Sequence, residues 1–115
     1  MHELSIVEAL IEQVGNEVQR SGAPGPVTRL DLVIGRLSGV NTDSVRFAFE
    51  MLSPGTAVEG AALFISEPKA VCSCRACGVQ TEIDDLLAVC PACGSADVAI
   101  TGGQDLLLQS IEVAE

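Results

Sequence analysis

Apolar residues return every three or four positions between residues 4 and 21. Leu4, Val7, Leu10, Ile11, Val14 and Val18 share one side, while Glu8, Glu12, Glu17 and Arg20 take the other. That spacing matches the helical repeat of about 3.6 residues and predicts an amphipathic helix. The run Ser21-Gly22-Ala23-Pro24-Gly25-Pro26 ends it. From Val27 to Ile34 the period drops to two, with Leu30, Leu32 and Ile34 on one face of a half-buried strand. Residues 35–41 read as a loop. Asn41 or Thr42 can cap a second helix, which runs through Phe47 and Phe49 to about Leu52 and stops at Ser53-Pro54-Gly55. A second strand is expected over 60–66, a short third over 69–72, and a last one over 106–113 beyond Gly102-Gly103.

This order of elements predicts the α+β class: two helices packed on a small mixed sheet, with a cysteine-bearing insert projecting from it. The expected division is 1–68 plus 102–115 for the helix–sheet domain and 69–101 for the insert. Glu67-Pro68 and Gly102-Gly103 bracket the insert as turns or hinges.

Composition narrows the function. Hydrophobic residues are 48% of the 115, so a core can form, but aromatics are 3% with no Trp or Tyr, and that core must be aliphatic. No apolar run approaches the roughly 18 residues that a membrane span needs. Met1-His2-Glu3-Leu4-Ser5 has neither the basic start nor the apolar stretch of a secretory signal, so a cytoplasmic address is expected. The net charge is −10, and the six Lys and Arg are scattered. Small metal modules often bind nucleic acid, but this chain has no basic stripe to neutralise phosphates.

Five cysteines without an export signal point to metal rather than disulfides. Cys74-Arg75-Ala76-Cys77-Gly78 and Cys90-Pro91-Ala92-Cys93-Gly94 are two copies of one device. Two thiolates three positions apart grip one ion when the backbone between them turns tightly, and the following glycine supplies the positive φ that leaves the turn. Residues 78–89 suffice for a hairpin that brings the second pair opposite the first. Four thiolates in a tetrahedron suit Zn²⁺, making the insert a zinc-ribbon-like four-cysteine domain with a structural ion. A rubredoxin-like iron centre is the rival, but such centres sit in aromatic cores. The large apolar residues of the insert are chiefly Val79, Ile83, Leu86, Leu87 and Val89. Too few for independent burial, they leave the metal to supply most of its folding energy, on the order of 10 kcal/mol. Cys72 is left over and reads as a free thiol at a strand end.

Four cysteines close the metal sphere and leave no water position, unlike catalytic zinc. Asp84-Asp85 reads as a solvated turn, so no catalysis is expected. His2, the one histidine, lies beside the α-amine of residue 1. That amine, the His2 amide nitrogen and its imidazole can close fused chelate rings on one ion, and nitrogen-rich donors of this kind favour Cu(II) or Ni(II). Glu3 can add its backbone nitrogen or its carboxylate.

The Met1-His2-Glu3-Leu4-Ser5 start, the strand Leu32-Val33-Ile34-Gly35, the Phe47-Ala48-Phe49-Glu50 helix and the paired knuckles together resemble the HypA-type nickel-incorporation accessory proteins of [NiFe]-hydrogenase maturation. The similarity runs from end to end. It implies a nickel metallochaperone in which Met1, His2 and Glu3 bind Ni²⁺ as cargo and Cys74, Cys77, Cys90 and Cys93 hold structural Zn²⁺. Its implied partners are a GTPase of the same pathway and the hydrogenase large-subunit precursor, with urease maturation served by some members. The alternative from another class is a zinc-ribbon adaptor that carries no nickel.

Overall fold

A computed structural model describes residues 3–114. They form α1 (Glu3–Ser21), β1 (Val27–Ile34), α2 (Thr42–Leu52), β2 (Ala62–Ser66), β3 (Ala70–Cys74), β4 (Gln80–Ile83), β5 (Val98–Thr101) and β6 (Leu106–Val113). The strands make two three-stranded sheets, ordered β2-β1-β6 and β4-β3-β5. The α+β class expected from the pattern is the one observed. Two compact units emerge: Met1–Leu32, Val40–Ile65 and Leu107–Glu115 in the first, Val33–Gly39 and Ser66–Leu106 in the second.

In the first unit, α1 buries Ile6, Val7, Leu10 and Val14 and packs against α2. Leu4, expected in this stripe, is instead 47% exposed. At about 100° per residue it falls roughly a quarter turn from the stripe's centre, whereas Ile6 lies within it. Arg20 pairs with Glu17 one turn back, and Gly22, at φ 67°, leaves the helix in the left-handed conformation that favours glycine. Helix α2 buries Val45, Ala48 and Phe49 and lies beside β2, where Phe49 and Leu63 help line a cavity of about 210 Å³.

In β1, Leu30, Leu32 and Ile34 are buried on one face as their alternation requires. The sheet's other face is polar: Arg29 grips Asp31 at 2.9 Å, approaches Glu112 at 3.5 Å and covers the Phe64 ring at 3.8 Å. Ser110 donates to Asp31 at 2.9 Å. Arg29 above all, then Ser110, holds the Asp31 carboxyl below its ordinary range. Strands β1 and β6 run antiparallel, since Thr28 donates to the Glu112 carbonyl while Ala114 donates to that of Pro26.

The second unit is built on β3, flanked by antiparallel β4 and β5. Its small core is Ala70, Cys72 and Ile83, with Leu37, Leu87, Val98 and Ile100 packed around it. Residues 33–39 are stitched on by their backbone: Gly35 donates to Asp105 at 2.7 Å, Arg36 to Pro68 at 3.0 Å and Leu37 to Gly103 at 2.6 Å. Gly103 is buried, at a point where an added Cβ would meet Ala70 atoms at 2.8 Å. That step is a packed turn. Asp84 accepts from Arg36 at 3.2 Å and lies 3.8 Å from Lys69, so the acidic pair is anchored at one end.

Candidate metal centre

The two knuckles are the same local fold. In the first, Cys74 donates its backbone N–H to Val79, Gly78 donates back to the Cys74 carbonyl, and the Cys77 N–H points at the Cys74 sulfur at 3.4 Å. In the second, Cys90 donates to Ser95, Gly94 donates to the Cys90 carbonyl, and the Ala92 N–H meets the Cys90 sulfur at 3.3 Å. Gly78 and Gly94 have φ of 78° and 79°, so a Cβ at either would strain the exit from the turn. Each knuckle grows from its surroundings differently. Cys74 is the last residue of β3, registered against Val98 of β5, whereas Cys90 follows a loop. Arg75 then ties the first knuckle to the segment after the second, pairing with Asp97 at 2.8 Å and donating its own N–H to the Asp97 carbonyl.

These elements bring the sulfurs of Cys74, Cys77, Cys90 and Cys93 within 4.8 Å of one another. Cys74 and Cys93 lie 3.6 Å apart, Cys77 and Cys90 3.8 Å. A tetrahedron with Zn–S bonds of roughly 2.3 Å has edges of about 3.8 Å. The donor set therefore fits that ion in size and in chemistry.

The electrostatics point the same way. Backbone N–H groups, that of Cys77 first, bring the Cys74 thiol down to about 7. Those of Cys93 and Ala92 lower Cys90 as well. At Cys93 the Ser95 backbone pulls downward, but the Cys74 and Cys77 sulfurs together with desolvation outweigh it, and the thiol rises to about 12. Cys77 is also raised, because the Cys74 sulfur and burial outweigh the Val79 backbone. Four thiolates this close repel one another. A cation at their centre makes the fully ionised set tolerable.

Cys72 is no part of this cluster. It is in the middle of β3, not at a strand end, and is 1% exposed. Strand alternation puts it on the same face as Cys74, where it fills the core beneath the site.

Of the three residues expected to hold nickel, Met1 and His2 lie outside the described residues. Glu3 opens α1, and its Oε2 accepts the backbone N–H of Asn41 at 3.2 Å. Sequence reasoning missed this contact and the Arg75–Asp97 pair. Neither has a local signature, because each joins positions far apart in the chain.

Compared with known proteins, residues 1–113 match the family described as hydrogenase/urease nickel incorporation, metallochaperone, hypA. The chain belongs to the HypA family. It is 39% identical over 113 residues to the hydrogenase maturation factor HypA of Chlorobaculum tepidum, covering 98% of this chain and 99% of that protein. It is 42% identical over 114 residues to the factor of the same name from Syntrophus aciditrophicus, at 98% and 99% coverage. The solution structure of the Ni metallochaperone HypA from Helicobacter pylori aligns with a TM-score of 0.65 at 30% identity, over 98% of this chain and 97% of that one. HypA proteins are metallochaperones of hydrogenase maturation, not enzymes, and the closed four-cysteine cluster agrees with that. Among the described residues, no helix is long and apolar enough to cross a membrane.

Proposed function

We propose that this HypA protein binds Ni²⁺ at its amino terminus and delivers it to the [NiFe]-hydrogenase large-subunit precursor, with one structural Zn²⁺ on Cys74, Cys77, Cys90 and Cys93. The observation that carries the reading is the end-to-end family match, which includes Met1-His2-Glu3 as well as both knuckles. The α-amine of Met1, the His2 amide and imidazole, and Glu3 are the nickel donors. The ligand protons leave on binding, with reference pKa values of about 7.7–8.0 for the amine and about 6.5 for the imidazole. Nickel affinity is therefore highest above those values and falls as pH drops through them. That dependence suits a carrier whose cargo must be released. The zinc site fixes the second unit and takes no part in chemistry.

In this reading the partners are the GTPase of the nickel-insertion pathway and the hydrogenase precursor, met in the cytoplasm, with urease maturation as a second client. The proposed division is 1–68 plus 102–115 for the nickel-carrying domain and 69–101 for the zinc domain, whereas the compact units group residues 33–39, 66–68 and 102–106 with the cysteine knuckles. The test uses untagged protein with a free amino terminus. Metal analysis gives one equivalent of zinc as purified, and titration adds nickel. His2→Ala abolishes nickel uptake and leaves zinc and the helical circular-dichroism signal unchanged. Equal nickel binding by wild type and His2→Ala would make the chain a zinc-bearing adaptor.

A further inference from the structure

The two knuckles meet at the metal, but they are mounted differently. Cys74 ends β3 in register with Val98 of β5, so the first knuckle stands on paired strands. The second belongs to residues 84–97, between the end of β4 and the start of β5, where no strand forms. Asp97, the last of these, is tied at three points. Its carbonyl accepts the Arg75 N–H at 2.9 Å, its carboxylate accepts the Arg75 guanidinium at 2.8 Å, and its own N–H donates to the Ser95 hydroxyl at 3.1 Å. Ser95 closes the path, since its carbonyl accepts the Cys90 N–H at 2.7 Å. A chain of hydrogen bonds thus runs from the residue after Cys74 to Cys90 without passing through the ion.

We propose that Arg75 and Asp97 are positioning residues, a clasp that holds the second knuckle against the first and slows exchange of the ion. The proposal rests on the four-cysteine metal reading above and goes beyond it, from what binds to how fast it leaves. Exposure sets the order of events. Cys77 and Cys93 are exposed, whereas Cys74 and Cys90 are buried, so a competing ligand meets the outer sulfurs first. While the clasp is shut, a released Cys93 sulfur stays beside the ion at high effective concentration and rebinds. Removing the guanidinium–carboxylate pair leaves that task to the backbone bonds, and the sulfur strays more often. The pair is more than half exposed on both sides, at 62% and 59%, so its effect is modest and sensitive to salt.

The experiment uses untagged, zinc-loaded full-length protein and follows zinc transfer to a chromogenic chelator. It compares wild type, Asp97→Asn, Arg75→Gln, the double variant and Arg75→Lys. Each neutral single variant loses zinc about threefold faster, the scale of one exposed ion pair. The double variant is no faster than either single one, because both substitutions remove the same contact. Arg75→Lys keeps the charge and stays within about twofold of wild type. In roughly 1 M NaCl, where the screening length shrinks to about 3 Å, the ratio of variant to wild-type rates falls towards one. The Co²⁺-substituted proteins share one absorption spectrum, since the four thiolates are unchanged. Wild-type rates in both neutral single variants would overturn the clasp, as would losses that multiply in the double variant or a changed Co²⁺ spectrum. Wild-type protein that holds neither Zn²⁺ nor Co²⁺ overturns the metal reading itself, and this role with it.

Discussion

Replacing Gly35 with Ala should damage the second unit more than its small size suggests. A Cβ placed there falls 2.2 Å from both the carbonyl carbon and oxygen of Gly103, and 2.7 Å from the Gln104 nitrogen. Ordinary contact begins at 3.4 Å, so backbone must retreat by more than an ångström. None of the three atoms is a side chain that can turn aside. The retreat strains two short hydrogen bonds, Gly35 to Asp105 at 2.7 Å and Leu37 to Gly103 at 2.6 Å. Losing both costs about 2 kcal/mol, and overpacking adds roughly 1–3 kcal/mol. A total of about 3–5 kcal/mol is a large share of a small domain's stability. The damage reaches the metal centre through Leu37, which packs on the Ala70–Cys72–Ile83 cluster below Cys74. The control is Gly39→Ala, in the same segment. Gly39 has φ 80° but nothing within 4 Å of an added Cβ, so it should lose only the left-handed strain of about 1–2 kcal/mol. Urea unfolding, read by metal release to a chromogenic chelator and by circular dichroism, measures both variants. If Gly35→Ala unfolds no more readily than Gly39→Ala, the close approach of the two backbones is not what holds residues 33–39.

Three further outcomes are expected. Chelation of the bound metal should remove exchange protection from β3, β4 and β5 while α1 and α2 keep their helical signal, because the second unit's core cluster holds only Ala70, Cys72 and Ile83 buried; concerted loss of both would refute this. Cys72→Ala should retain one equivalent of zinc and cost about 1 kcal/mol in thermal unfolding, the effect of a shallow cavity beneath the site, and loss of the metal would make Cys72 a ligand. The Asp31 carboxyl should titrate below 3.8 in a carbon-detected NMR titration and return towards that value in Arg29→Met. Since its folded value is depressed, the Arg29 contact favours the fold above the unfolded pKa and is lost as pH falls through the folded one.

The parts legible in the sequence are those whose signal is repeated along a short stretch. Helix α1 and strand β1 announce themselves by period, and the four-cysteine cluster by two copies of one spacing. Leu4 shows the limit of that reading: it has helical spacing, but only the packing of α1 against α2 decides where the buried stripe is centred. Strands β4 and β5 lie below the limit altogether. Each has four residues, and β4 buries only Ile83, so neither carries a period long enough to see. What makes them strands is pairing with β3, where Cys72 lies opposite Thr81 on one side and Ile100 on the other.

Gly103 shows why a residue type alone can mislead. Two adjacent glycines read as a turn or a hinge, since nothing in the chain says that a second backbone presses on them. The structure gives Gly103 a different reason to be glycine: φ 72° on one count, and Ala70 atoms at 2.8 Å from any Cβ on another. Its carbonyl also receives Leu37. Freedom of a glycine in the unfolded chain says nothing about its freedom once packed, and here the position that looks most flexible in sequence is among the most constrained. Glu3 is the same lesson in a charged residue. In the sequence it reads as a metal donor through its backbone nitrogen or its carboxylate, and in the structure its Oε2 also accepts the backbone N–H of Asn41, 38 positions away. Whether a donor is available to a metal depends on what else already binds it.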